Sequence, residues 1–269
     1  MTSIHNLLFN SLDKILNKAD CLKYERHFVI HEGSDFTRKS RKLSFKDTIS
    51  FILSMAGKPI REELLDFFHY SNNTPTASAF VQARSNISSR VFQFILYKLN
   101  KAFPPNNLYK GYHLIAVDGS EMQIPLDYSD PDSLYKNSSK GKFLSAFHLN
   151  ACYDILNNRY LDTIVQGIHS KNEVKAMWEM VERFHEDNAI FIADRNYATC
   201  NNMAHIIHLG KFFLIRVKDI HSISSLLRKF NLPDEEFDLN LHITINKKID
   251  ERYKISIRKI SFLIYYIYV

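Results

Sequence analysis

The stretches Leu114-Ile-Ala-Val-Asp-Gly-Ser120 and Ala189-Ile-Phe-Ile-Ala-Asp-Arg-Asn-Tyr197 decide the fold. In each, four or five consecutive apolar residues run into an aspartate, Asp118 or Asp194. A run of that length reads as a buried strand, and a carboxylate at its end sits where sheet gives way to loop. If the two strands are neighbours, both carboxylates reach one edge of the sheet. Hard cations such as Mg2+ (or Mn2+) take oxygen ligands, often only one or two protein carboxylates, with water and substrate phosphate completing the shell. The pair therefore points to a divalent-metal site suited to phosphodiester chemistry. Taken singly, each aspartate also has a local reading, since Asp before Gly marks a turn and Asp before a helix caps it.

Outward from these strands the periodicity is that of a mixed sheet. Strands are expected over 112–118, 148–155 and 160–166, the last two forming a hairpin around Asn157-Asn158. An amphipathic helix over 172–185 carries Val174, Met177, Trp178, Val181 and Phe184 on one side, and a helix over 200–209 closes at Gly210. Strand 212–217 follows. The order describes a mixed sheet with helices on its faces. Upstream, residues 44–103 read as four short helices. Ser44 and Asp47 form a capping box, Gly57 stops the first helix, Pro59 opens the second, and the others follow Thr74 and Ser88. Such short helices are compatible with a helix-turn-helix-like module. Pro104-Pro-Asn-Asn107 is the best linker in the chain. Downstream, a helix over 222–230 and strands over 241–245 and 255–260 precede the uncharged run 262–269. That run has high β propensity and is too short to span a bilayer.

The 269 residues, 45% of them hydrophobic, suffice for one large domain or two smaller ones. Cys21, Cys152 and Cys200 are far apart and form no Cys-x-x-Cys, which argues against a disulfide framework or a structural zinc site. No secretory signal and no membrane span is read, so a cytoplasmic protein that does not enter membranes is expected. The net charge of +6 is unevenly spread: Lys and Arg outnumber Asp and Glu 16 to 9 over residues 1–110 and 6 to 2 over 241–269, but trail 13 to 18 over 111–240. Basic flanks around an acidic centre suit an enzyme that attracts phosphate at its edges and holds metal in its middle. An ordinary solvated surface would give the same counts.

Other motifs fall away. Ser138-Ser-Lys-Gly-Lys142 matches a phosphate-binding loop only in part, because Lys136 stands where its first glycine belongs and Phe143 where it needs Ser or Thr. Gly-x-Gly-x-x-Gly is absent from the sequence. His205 and His208 share a helix face without a metalloprotease pattern around them, and Ser120 and Ser145 carry no mark of an activated nucleophile.

Val117-Asp-Gly-Ser120 followed by Ile124-Pro125, the segment His148-Leu-Asn-Ala-Cys-Tyr-Asp154, Ile192-Ala-Asp-Arg-Asn-Tyr197 and Phe213-Leu-Ile-Arg-Val-Lys-Asp219 together resemble the insertion-sequence DDE transposases of the "IS-four" group. Thr76-Ala-Ser-Ala-Phe-Val-Gln-Ala-Arg84 resembles that group as well, so the likeness runs in order from about residue 45 to 220. It implies an α/β chain, α+β overall. A helical DNA-binding region (1–106) would precede a ribonuclease-H-like mixed-sheet catalytic domain (107–236) and an incomplete β-rich insertion with an apolar tail (237–269). In the family two aspartates and a glutamate bind two Mg2+ ions, and Asp118 and Asp194 match the two aspartates. Two departures stand out. Asn196 replaces a usual glycine, a mild change because Asn tolerates left-handed backbone. The third carboxylate normally lies in a Tyr-x2-Arg-x3-Glu-x6-Lys helix, and no such pattern occurs, so the site is expected to lack it and the chain to be a truncated or frameshifted copy.

The leading expectation is a cut-and-paste DNA transposase using metal-assisted phosphoryl transfer on double-stranded DNA, at element ends and target, as a homodimer in its DNA complex. Asp118 and Asp194 are the expected catalytic and metal-binding residues, and Arg84, Arg195, Arg216 and Lys218 the expected phosphate contacts. With the third carboxylate missing, the chain is expected to be inactive. The alternatives are a non-catalytic DNA-binding remnant or regulator and, less favoured, a stand-alone Mg2+-dependent nuclease using Glu235 or Glu236.

Overall fold

A computed structural model describes residues 2–31, 36–37, 42–138, 141–218, 222, 228, 230–232, 237–243 and 260–266. The chain divides into two compact units, Met1–Pro104 and Pro105–Val269.

The first unit is helical. Its α2 (Phe45–Ser54) begins where the sequence demands: the Ser44 side chain accepts from the Asp47 N–H, and the Asp47 carboxylate accepts from the Ser44 N–H. This reciprocal cap satisfies two of the donors that a helix start leaves open. The helix ends at Ser54, three residues before Gly57, which adopts φ +90° in the turn beyond. Then come α3 (Ile60–Phe67), α4 (Ala77–Ser85) and α5 (Arg90–Ala102). Glu63 in the first turn of α3 is buried, because it accepts from the Ala56 and Lys58 N–H groups at 2.8 Å each and so ties the intervening turn to the helix. The expectations for this region omitted α1 (Thr2–Cys21), whose Leu16 and Ala19 pack with Phe45, Ile49, Val91 and Ile95. A second cluster gathers Leu43, Phe51, Leu64, Phe80 and Ala83, with the Phe51 and Phe80 rings edge to face at 4.6 Å.

The second unit is built on a mixed sheet of β1 (His113–Ile124), β2 (Leu134–Lys136), β3 (Phe143–Asp154), β4 (Arg159–Gly167), β5 (Ala189–Ala193) and β6 (Phe212–Ile215). β3 pairs antiparallel with β1, β2 and β4, whereas β5 runs parallel to β1 and β6 parallel to β5. The β3–β4 hairpin turns at Asn158, in left-handed conformation, and is fastened by the buried Asp154 carboxylate, which accepts from the Asn157 backbone and side chain. Strands β1 and β3 run well beyond their apolar cores. Residues 119–124 stay in the sheet by antiparallel pairing with β3 alone.

One face of the sheet is covered by α6 (Glu173–Arg183) and α7 (Cys200–His208). Met177, Met180 and Val181 of α6 and Ile206 of α7 meet Ile115, Val117, Cys152, Phe191 and Ala193 in one core. The Asn172 side chain caps α6 at the Lys175 N–H, and Gly210, at φ +68°, ends the α7 turn. Two further strands, β7 (Phe237–Ile243) and β8 (Ile260–Tyr266), pair antiparallel with each other in a separate sheet, so much of the apolar run at 262–269 has a partner strand. Most of the helix expected over 222–230, the end of the strand over 241–245, most of the strand over 255–260, and Glu235 and Glu236 lie outside the described residues.

Candidate metal centre

The sequence places Asp118 and Asp194 at strand ends, and the sheet gives this a different meaning for each. Asp194 does follow the last residue of β5 and caps a 3-10 turn (Arg195–Tyr197), its Oδ1 accepting from the Asn196 N–H at 2.8 Å. Asp118 is in mid-strand: β1 continues to Ile124, and Asp118-Gly119 is no turn. What ends at Asp118 is the parallel pairing. Val117 is opposite Ala193 and Ala193 opposite Ile215, so the next residues on three adjacent parallel strands are Asp118, Asp194 and Arg216.

That register sets the geometry. Neighbouring strands lie ~4.8 Å apart, and residues at equivalent positions point to the same face. Ile115 and Val117 on β1, and Phe191 and Ala193 on β5, enter the core beneath α6 and α7, so alternation directs Asp118 and Asp194 to the opposite face. Both are exposed. Asp118 uses Oδ1 to accept from the Gly119 N–H at 2.8 Å, just as Asp194 uses Oδ1 for Asn196. Among the described residues neither Oδ2 has a hydrogen-bond partner. Two carboxylates, each anchored by one oxygen and open at the other, fit a hard divalent cation, which needs one or two protein carboxylates and keeps water or phosphate for its remaining positions. Among the described residues no three His, Cys, Asp or Glu side chains form a complete metal-holding group.

The basic candidates divide by position. Arg195 is exposed directly after Asp194, and Arg216 is exposed in the same row, its N–H donating to the Ala193 carbonyl at 3.1 Å. Lys218 is half-buried two residues on. Arg84 belongs to the helical unit, where its exposed guanidinium lies 5.7 Å from the centre of the Phe80 ring.

Residues that sequence reasoning did not single out lie on the core side near this strand position. The His148 imidazole crosses β1 at Gly119: a Cβ built there would lie 2.5 Å from its Nε2 and 3.1 Å from Asn150 Oδ1. Position 119 is therefore constrained by space, not by backbone conformation. His148 Nε2 is also 3.1 Å from Glu173 Oε1 at the head of α6. Asn150 donates to Gln166 Oε1 at 3.2 Å, and that oxygen accepts from the Asn172 N–H at 2.8 Å, linking the sheet to the helix start. Tyr197 is buried, and burial raises its phenol well above the ordinary tyrosine range, with the charges of Glu173, Asp118 and Asp194 adding to the effect. A lone histidine on a half-apolar strand and a glutamate in a helix's first turn both have commonplace readings, so neither carried a signal.

No described helix is long and apolar enough to cross a membrane. The family model described as transposase DDE domain matches residues 109–261, more than half of the chain and including both aspartates. No curated protein matches the chain.

Proposed function

The chain belongs to the transposase DDE domain family, and from that premise we propose that it is an insertion-sequence DNA transposase of the cut-and-paste kind, of the "IS-four" group. Its mixed α/β sheet with a helical region before it is the architecture of a ribonuclease-H-like DDE domain. The observation that carries the site reading is the register: Asp118 and Asp194 occupy one row on adjacent parallel strands, each with a free carboxylate oxygen. These two would hold Mg2+ or Mn2+. When bound, such an ion supplies positive charge that favours deprotonation of water or a DNA 3′-hydroxyl and offsets charge on the phosphodiester.

The protein's own part is to hold and orient. Strand pairing fixes where both carboxylates stand, and the Gly119 and Asn196 N–H groups restrain how they rotate. Arg195 and Arg216 offer cations at the same strand ends for DNA phosphate, with Lys218 close behind and Arg84 in the helical unit. In this reading residues 1–106 dock on duplex DNA, 107–236 carry the site, 237–269 begin a β-rich insertion, and two copies act together on element ends and target.

The Tyr-x2-Arg-x3-Glu-x6-Lys pattern does not occur in these 269 residues, and Glu235 and Glu236, which follow Pro233-Asp234, do not stand in that spacing. On that ground the chain by itself binds DNA and metal but does not complete strand transfer, and a role as a non-catalytic DNA-binding regulator is the second reading. The test uses the purified chain, Mg2+ and a plasmid carrying the DNA that flanks its own gene. DNA binding that weakens steeply with salt is expected, since each neutralised phosphate releases counterions, together with no joined product. Cleavage and joining that vanish on Asp194→Asn would overturn the inactivity. Binding that is absent at low salt would sink the transposase reading.

A further inference from the structure

We infer that the outer face of α5, carrying Arg90, Gln93, Tyr97 and Lys101, is the surface by which the helical unit enters the major groove of duplex DNA. Gln93 and Tyr97 meet base edges there, and the two cations hold the phosphates on either side. The inference deepens the proposed function and rests on its reading that residues 1–106 dock on duplex DNA.

Val91 and Ile95 turn α5 into the core that it shares with α1, and at about 3.6 residues per turn Arg90, Gln93, Tyr97 and Lys101 then form one stripe on the far side. All four are exposed. An ordinary solvated helix mixes both signs of charge and gains from acid–base pairs one turn apart. α5 does neither: it carries Arg90, Lys98 and Lys101 and no acidic residue. Helices α1, α2 and α3 each have Asp or Glu, and α4, which has none, carries a single cation, Arg84. Arg90 also stands in the first turn, where a cation opposes the helix dipole, so the stability of the helix does not call for it. Nor does the neighbouring helix neutralise the stripe. The two aspartates of α1, Asp13 and Asp20, are ion-paired to Lys46 at 2.6 Å and Lys23 at 3.2 Å, and among the described residues Arg90 and Lys101 are in no ion pair. Lys98 lies instead against the Phe94 and Tyr97 rings, 5.5 and 5.6 Å from their centres, and keeps its charge available.

Dimensions and residue types select the partner. A major groove is about 12 Å wide and admits an α-helix. Arg90 and Lys101 stand about 16 Å apart along the axis, at ~1.5 Å per residue, so their long side chains reach both phosphate walls of a groove in which the helix lies. Gln93 and Tyr97 are between them, over the bases. A glutamine amide there bonds bidentately to adenine, and an aromatic edge packs on a thymine methyl, so the stripe suits a site containing A·T pairs.

The experiment enriches a randomised duplex pool on the full wild-type chain, then titrates the enriched duplex and a scrambled one against each variant by fluorescence anisotropy over a range of salt. Unfolding midpoints, measured alongside, should not move, because the substituted side chains are exposed. Gln93→Ala should cut the preference for the enriched duplex about 5- to 150-fold, the discrimination that one bidentate base contact supplies, and relax the selection at an A·T pair. Arg90→Ala and Lys101→Ala should weaken both duplexes alike and each lower the slope of log affinity against log salt by about one. Arg61→Ala, which removes an exposed cation from α3, should do much less. A wild type without sequence preference, or an unchanged preference in Gln93→Ala, overturns base reading by α5 while leaving DNA binding standing. Equal losses in Arg61→Ala and Arg90→Ala would mean attraction by net charge and overturn it as well. A wild type that binds no duplex at low salt removes the DNA reading itself, and this inference with it.

Discussion

The helical unit and the sheet unit bury polar groups on opposite terms. In the first, buried Thr48 donates to the Ser44 carbonyl at 2.7 Å, and buried Glu63 accepts from two backbone N–H groups. In the second, both His148 ring nitrogens, Asn150 Oδ1, Tyr197 Oη and Asn202 Oδ1 are buried without a hydrogen-bond partner, whereas no such atom occurs among the described residues of the first. A buried polar atom without a partner costs on the order of 1–3 kcal/mol. Their concentration in one unit shows where local rules of stability yield to something else. Proteins tend to tolerate such conflicts at functional sites.

The largest effect should come from closing the space at Gly119. In Gly119→Ala the added carbon would stand 2.5 Å from His148 Nε2, so the buried imidazole or the β1–β3 pairing must shift. We expect a loss of about 1–3 kcal/mol, in the range of overpacked cores, measured by urea unfolding followed through Trp178, the single tryptophan, which lies in the sheet unit. An unchanged midpoint would mean that the imidazole has room to swing aside, and the contrast between the units would lose its tightest contact.

The same contrast governs what the sequence discloses. Elements announced by local chemistry are legible: the Ser44–Asp47 box, the Asn172 cap, the five apolar residues of β5. Elements held by tertiary pairing are not. Glu121, Met122 and Gln123 have no strand pattern and are in the sheet only because β3 pairs with them. Helix α1, with its apolar residues at Leu12, Ile15, Leu16 and Ala19, did have a helical pattern to offer. For the candidate site, apolar runs ending in Asp118 and Asp194 are visible in the chain, but their standing in one row with Arg216 is a matter of register between strands about 75 residues apart in sequence. The crossing of His148 over Gly119 depends on register in the same way.

An intermediate effect tests the well-satisfied side. Ser44→Ala removes the side-chain oxygen that accepts from the Asp47 N–H and breaks the reciprocal cap. The expected cost is about 1 kcal/mol, read from urea unfolding by circular dichroism. A negligible change would show that water replaces the cap freely, and the helical unit's polar groups would then be less tightly satisfied than their geometry implies.

The smallest effect discriminates most. Tyr197 is 1% exposed, its hydroxyl has no hydrogen-bond partner, and burial keeps the phenol neutral by raising its ionisation. In Tyr197→Phe the ring and its packing remain while an uncompensated polar atom disappears. Removing a satisfied hydroxyl costs roughly 1 kcal/mol, whereas removing an orphaned one is neutral or stabilising. The variant should therefore unfold at the wild-type midpoint or slightly above it, in metal-free buffer. A loss of about 1 kcal/mol or more would mean that the hydroxyl does have a partner, such as an ordered water, and the sheet unit would then follow the same rule as the helical one. If stability holds while Mn2+ affinity falls, the hydroxyl serves the ion rather than the fold.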